Sequence, residues 1–292
     1  MISARPPQVV DFSIFTNGLS DGDFHRLGRL VYDYCGIKLP PHKKSMLEAR
    51  LRRRLRSLGI KSFEEYCAYL FSHDGMQAEL VSLIDVVTTN KTDFFREPAH
   101  FDFLTLRALP QLLNTFGSGV ERPLQVWSAG CSSGEEPYTL AMVLSEFARN
   151  EANFRFSILA TDISTKVLEQ ARLGIYAAEK VVPVPEALKK RYLLKSRDTD
   201  KPKVRVAPEV RSLVSFKRLN FMDERFEAPP AVDIIFCRNV IIYFDRPTQQ
   251  SLLERLCSHL DAGRFIFMGH SETLHGMNLP LVQVSPSVYR KK

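Results

Sequence analysis

Apolar positions along the chain follow two regimes. From Ser20 to about Val87 they recur every three to four residues, the period of a helix packed on one side. Ser20-Asp21-Gly22-Asp23 offers capping residues ahead of Phe24, Leu27, Leu30 and Val31. Leu39-Pro40-Pro41 predicts a turn, and Leu47, Leu51, Leu55 and Leu58 form the apolar stripe of the next helix. Ser62 with Glu65 reads as a capping box, and Glu79 to Val87 as a further short helix. Residues 1–16 lack such a pattern and are expected to be a mobile leader, so residues 17–87 form the expected helical N-terminal domain.

After Gly117-Ser118-Gly119 the period changes. Leu124 to Ser128 predicts a short strand, followed by a glycine-bearing turn and a helix from Glu135 to Arg149. Phe154 to Ala160 predicts a second strand ending at Thr161-Asp162, with a helix from Ser164 to Leu173 behind it. Val232 to Cys237 is nearly continuous in apolar residues, as a strand covered on both faces should be. A helix around Thr248 to Leu260 and a strand from Arg264 to Met268 complete the alternation. Strands alternating with helices predict an α/β fold with a doubly wound parallel sheet. Lys203 to Ala207 and Leu213 to Lys217, with Pro208 between them, read as a small antiparallel β-subdomain at about 195–218.

Composition narrows the class. The chain has 292 residues, 45% of them hydrophobic and 25% charged, which excludes a disordered protein. Its five cysteines are scattered without a C-x-x-C pair, and its seven histidines lack metal-ligand spacing. No disulfide framework and no metal are expected. Met1 to Val10 does not read as a signal peptide, and there is no run of ~18 apolar residues, so no membrane insertion and a cytoplasmic location are expected. The formal net charge is +7. Between Lys43 and Lys61 eight basic residues face only Glu48, so this one segment accounts for the whole excess. That is unlike a diffusely basic nucleic-acid coat, and no nucleic-acid partner is expected.

The turn after the first strand reads Ala129-Gly130-Cys131-Ser132-Ser133-Gly134-Glu135-Glu136, and the second strand ends on Asp162. Small residues let a ligand approach the main chain, and an acid at the second strand end suits a ribose diol. A dinucleotide fingerprint needs G-x-G-x-x-G, whereas here the glycines are spaced G-x-x-x-G and two glutamates follow. Adjacent carboxylates repel a pyrophosphate and favour a cationic ligand such as S-adenosylmethionine over a nicotinamide dinucleotide.

Five segments, taken together, resemble the chemotaxis receptor methyltransferase family. They are Thr88 to Glu97, Trp127 to Tyr138, Ala160 to Ile163, Phe236 to Asp245 and Gly269 to Glu272, in family order. The resemblance runs from about Ser20 to the C-terminus. It implies a small all-α N-terminal domain, a linker at 88–100, and a Rossmann-like methyltransferase domain at 101–292 carrying the β-subdomain. It implies methyl transfer from S-adenosylmethionine, with S-adenosylhomocysteine as product, to glutamate side chains of chemoreceptors. Residue by residue, it implies that Asn90, Thr92 and Arg96 reach the cofactor from the linker. Glu136 contacts its methionine or ribose part, with Glu135 the open alternative, and Asp162 holds the ribose. Asn220 and Phe221 flank the adenine, Arg238 and Asn239 line the transfer side, and Arg96 and Tyr243 face the reacting carboxylate.

A carboxylate acceptor, with pKa near 4.3, needs no general base at neutral pH. Arg50, Arg52, Arg53, Arg54 and Arg56 lie beside or opposite the leucine stripe and are expected to dock an acidic receptor helix. The β-subdomain is a candidate strand-pairing site for a receptor C-terminal peptide, and the protein is expected to be a monomer. The alternatives are an RNA or DNA methyltransferase, opposed by the proline-free Arg238-Asn-Val-Ile-Ile242, and a receptor-binding module without catalysis.

Overall fold

In the N-terminal segment three serines start helices by turning a hydroxyl onto the main chain. Ser20 Oγ accepts the N–H of Asp23 (3.0 Å), Ser62 Oγ that of Glu65 (3.1 Å) and Ser72 Oγ that of Gly75 (3.0 Å). The helices are α1 (Asp21–Cys35), α2 (Lys44–Leu58), α3 (Phe63–Leu70) and α4 (His73–Val87). Helix α4 starts well before the expected Glu79, because Ser72 caps it and Gly75 fits a close approach. A Cβ on Gly75 would lie 1.8 Å from the Tyr69 carbonyl oxygen. The computed structural model describes residues 18–197 and 200–292, so the expected leader at 1–16 lies outside the described residues.

The chain divides into two compact units. The helical unit ends at Thr88 and the second holds Cys35–Ile37 and Thr89–Lys292. In the helical unit Leu47, Leu51 and Leu55 are fully buried, as their spacing predicts. Gly59, at φ 72°, ends α2 in the left-handed conformation that glycine adopts without strain.

The second unit opens with α5 (Ala99–Phe103), a π-helical turn (Leu104–Ala108) and α6 (Leu109–Phe116). The chain then alternates through β1 (Leu124–Ala129), α7 (Glu135–Asn150), β2 (Phe156–Asp162), α8 (Thr165–Leu173), β3 (Ile175–Ala177), α9 (Glu186–Tyr192), β4 (Leu193–Lys195) and β5 (Lys203–Val206). It continues with α10 (Pro208–Arg211), β6 (Val214–Arg218), β7 (Val232–Cys237), α11 (Arg246–Ser258), β8 (Leu260–Met268), β9 (Leu281–Ser285) and β10 (Val288–Lys291).

A seven-stranded sheet has the order β6-β2-β1-β7-β8-β10-β9. Its first five strands are parallel, and β10 and β9 add an antiparallel hairpin at one edge, so the sheet is mixed rather than wholly parallel. All six residues of β7 are buried. Ile234 and Phe236 face one core with Tyr138 and Leu140 of α7, and Ile235 and Cys237 face another with Leu252 and Leu256 of α11. Helices on both faces explain the continuous apolar run.

The β-subdomain requires a correction. The small antiparallel sheet is β3-β5-β4, drawn from residues 175–206, and β6 is not part of it. Pro208, expected between two hairpin strands, instead opens α10, which carries the chain to the edge of the main sheet. There β6 pairs parallel with β2, and the Phe216 ring packs on Tyr138, 5.7 Å between centroids.

Candidate active site

In a doubly wound sheet the strand ends at the order reversal are the natural ligand site. Here β1 and β7 are neighbours and their carboxyl ends carry the loop 130–134 and Arg238. The loop is pinned from below, since the N–H groups of Gly130 and Cys131 both donate to Thr161 O at 2.8 Å. Gly130, at φ 88°, has no room for a side chain, because a Cβ would sit 2.4 Å from Val240 Cγ2. Ser132 is left-handed at φ 50° and donates its N–H to Asp162 Oδ2 (2.8 Å). The other Asp162 oxygen accepts the Ser164 N–H (2.9 Å), so two main-chain donors hold this carboxylate at 8% exposure. Ser132 Oγ donates to Asn90 O (3.0 Å), which fastens the segment after Thr89 onto the loop.

The two glutamates have different surroundings. Glu135, 1% exposed, accepts from Ser133 Oγ (2.6 Å), and burial pushes its pKa up. Glu136 bridges two strands: Oε1 accepts from Ser128 Oγ of β1 (2.7 Å) and Oε2 from Arg238 Nε beyond β7 (2.7 Å). Arg238 Nη1 also donates to Arg96 O (2.6 Å). The structure thus joins Asn90 to Asp162 through Ser132, and Arg96 to Glu136 through Arg238.

Thr92 O accepts from Lys180 Nζ (3.1 Å), and Arg96 Nη1 donates to Lys91 O (3.1 Å). Leu219 N–H donates to Asp162 O (3.0 Å), which sets buried Asn220 and half-buried Phe221 beside the end of β2. Asn239 is left-handed at φ 59°, and Tyr243 ends the 3-10 turn Ile241–Tyr243.

Several residues of this assembly show no role in the sequence alone: Glu97, His100, Ser128, Ser132, Tyr176 and Glu272. Tyr176 Oη donates to Ser133 O (2.7 Å) from β3. Glu97, His100 and His270 offer metal-ligand atoms within 4.8 Å of one another among the described residues. A cation already sits there, because Arg238 Nη1 lies 3.2 Å from His100 Nδ1 and 3.5 Å from Glu97 Oε2. Burial and the Arg238 charge bring the His100 pKa down to about 4.

The arginine-rich helix also needs revision. Arg50 Nη1 donates to the carbonyls of Val86 (3.2 Å), Val87 (2.7 Å) and Thr88 (2.8 Å), so it caps the C-terminal end of α4. Arg54 grips buried Glu79 with two hydrogen bonds (2.8 and 2.5 Å), and Tyr66 Oη donates to the same carboxylate (3.1 Å). These two are structural ties of the helical unit. A wheel shows direction relative to the leucine stripe but not what lies across from its edge. Arg52 lies over the Phe63 ring (5.2 Å), whereas Arg53 and Arg56 are exposed.

Comparison with known proteins accounts for both units. Residues 22–88 match the family described as CheR methyltransferase, all-alpha domain, and residues 90–289 match CheR methyltransferase, SAM binding domain. A chemotaxis protein methyltransferase of Borreliella burgdorferi is 42% identical over 274 residues, covering 94% of this chain and 95% of that one. A chemotaxis protein methyltransferase of Escherichia coli is 40% identical over 273 residues, covering 93% and 91%. With both domain types in order and the strand-end loop, acid and arginine in one assembly, the chain belongs to the CheR methyltransferase family, whose catalytic domain binds S-adenosylmethionine.

Proposed function

We propose that this chain transfers a methyl group from S-adenosylmethionine to glutamate side chains of chemoreceptors, forming methyl esters that adjust sensory signalling. The proteins it resembles over more than nine-tenths of its length are named chemotaxis protein methyltransferases. The observation that carries the reading is the pair of hydrogen-bonded chains Asn90–Ser132–Asp162 and Arg96–Arg238–Glu136 around one glycine loop.

The residues fit the cofactor. Asp162 stands at the carboxyl end of β2 with its carboxylate fixed by the Ser132 and Ser164 N–H groups, the place from which an acid reaches a ribose diol. The buried acids Glu135 and Glu136 suit a ligand bearing an ammonium and a sulfonium, with Glu136 as the proposed contact. Asn220 and Phe221 flank the adenine, Asn90 and Thr92 close the linker side, and Asn239 lines the transfer side. When bound, the cofactor supplies a methyl group activated by positive sulfur.

The chain's own work is alignment and exclusion of water, which can contribute roughly 7–11 kcal/mol in favourable cases. Arg96 holds the non-reacting oxygen of the acceptor carboxylate and the Tyr243 hydroxyl orients the other. His100 faces Arg238 through Nδ1 and, with its pKa at about 4, is a poor base at neutral pH. An acceptor that is already an anion requires none.

Docking is assigned to Arg53 and Arg56, with Arg52 alongside, facing an acidic receptor helix. The outer strands β3 and β4 of the small sheet are the candidate edges for a receptor C-terminal peptide. Among the described residues no helix is long and apolar enough to cross a membrane. A cytoplasmic monomer is the proposed working form.

The test is transfer of radiolabelled methyl from S-adenosylmethionine to receptor-containing membranes. A base-labile product is expected, and a base-stable label, or none, would exclude the ester. Replacing Arg53 and Arg56 by Glu should raise KM for receptor about tenfold and leave cofactor affinity unchanged. Unaltered receptor kinetics would remove the docking role.

A further inference from the structure

Glu272 lies beyond the end of β8 and is 5% exposed. Its Oε1 accepts the N–H groups of Val240 (2.8 Å) and Ile241 (2.9 Å). Its Oε2 accepts those of Asn239 (2.8 Å) and Gly269 (2.6 Å). Three successive amides after Arg238 therefore converge on one side chain, with Asn239 in the left-handed region at φ 59°. Such a concavity of main-chain donors holds an anion, and here the anion is the protein's own. Gly269 completes the fit, since a Cβ there would lie 2.5 Å from Asn239 Nδ2 and 2.9 Å from Glu272 Oε2. The tied segment starts next to Arg238 and leads into the turn Ile241–Tyr243.

We infer that Glu272 is a positioning residue for methyl transfer, whose carboxylate holds the Asn239–Ile241 main chain in the conformation that presents Asn239 and Tyr243 at the strand ends. This rests on the roles proposed above for those two residues. The chemistry demands a carboxylate. A glutamine has a single acceptor oxygen and would set an NH2 group against two N–H donors. An aspartate keeps the charge with a shorter reach.

The experiment uses the full-length protein and its Glu272→Gln, Glu272→Asp and Gly269→Ala variants. In Glu272→Gln, amide hydrogen exchange at Asn239, Val240 and Ile241 should accelerate about tenfold or more, with the core strands unchanged. Turnover should fall about tenfold or more, while KM for receptor stays within about threefold. Glu272→Asp should recover part of the turnover. Adding Tyr243→Phe to Glu272→Gln should cost less than about twofold further, because Tyr243 is already misplaced.

Unchanged exchange at the three amides overturns the inference, as does unchanged turnover. So does a Tyr243→Phe loss that is large in the parent protein and equally large in the Glu272→Gln background. A fully active Tyr243→Phe single variant defeats the role proposed for Tyr243, whereas the exchange and turnover of Glu272→Gln still decide whether Glu272 holds the segment for catalysis. If Glu272→Gln loses protection throughout, Gly269→Ala takes its place. It presses on the same Asn239 and Glu272 atoms and must show the same local exchange and turnover loss, or the inference fails.

Discussion

The two ends of β7 both carry a buried charge, and they handle it differently. At the start, Asp233 is fully buried, accepts from Ser118 Oγ (2.8 Å), Arg122 Nη1 and Nη2 (2.8 and 2.5 Å) and Gln125 N–H (2.9 Å), and forms an ion pair with Arg264 Nε (3.0 Å). Turns in the segments that supply these partners use Gly117, Gly119 and Gly263 for their left-handed positions. Past the other end, Arg238 ties Glu136 to Arg96, and beside the left-handed Gly130 and Gly134 the positions Phe95, Glu97, Ser132 and Asn239 are left-handed without being glycine. Such non-glycine conformations cost of order 1–3 kcal/mol each and persist only where the surroundings impose them. One end is built for stability with residues that suit their conformations. The other carries strain, in the assembly assigned above to the cofactor and the reacting groups.

The largest test of that contrast is Asp233→Asn. It leaves Arg122 and Arg264 without their counter-charge and should remove about 3–5 kcal/mol of stability. Denaturant titration should register the loss, with turnover below the transition nearly unchanged. A selective loss of turnover would erase the distinction between the ends.

The next effect is pH-dependent and belongs to the functional end. His100 is held neutral, its pKa moved from 6.5 to about 4, with only 2% of its side chain exposed. The unfolded chain binds a proton between those values and the native chain does not. The contribution of this group is therefore full above pH 6.5 and lost as pH falls toward 4, by up to about 3 kcal/mol. His100→Gln should flatten the stability profile over that window. A variant as acid-sensitive as the parent would show that His100 is not the group responsible.

How legible was all this in the sequence? Val232–Cys237 announced β7 because continuous apolar residues mark a strand covered on both faces, and Asp162 was placed by where β2 had to stop. Asp233 sat in that same apolar run without a readable purpose, since Arg122 and Arg264 meet it only in the folded sheet. Strands β3 and β4 have three residues each, too few to display alternation, so the longer runs on either side of Pro208 carry the only strand pattern legible there. Arg50 and Arg54 look like Arg53 and Arg56 in the sequence because helical spacing carries no information about α4 across from them. Glu272 and Asn239 are far apart in the chain, and no local pattern links a carboxylate to a loop that needs one.

At the functional end, Arg238→Lys keeps the charge but has one nitrogen where the guanidinium uses Nε for Glu136 and Nη1 for Arg96 O. Activity should fall about 30-fold, equivalent to ~2 kcal/mol, with a smaller loss of stability than at Asp233. Full activity would mean that charge alone suffices and that the fork does not orient Glu136.

The smallest and sharpest comparison uses glycine at one left-handed residue from each end. Asn153, at φ 63° and exposed, lies in the turn before β2. Asn153→Gly should leave activity unaltered, since asparagine already tolerates that conformation and the turn precedes the start of β2, at the opposite end of the strands from Ser132. Ser132→Gly removes about 1 kcal/mol of left-handed strain and, with the hydroxyl, a hydrogen bond to Asn90 O of similar size. Stability should therefore hardly move, while the released linker should raise KM for the cofactor about fivefold. Equal cofactor kinetics in both glycine variants would show that the strain at Ser132 is incidental. A change confined to Ser132→Gly would tie it to holding the linker against the cofactor loop.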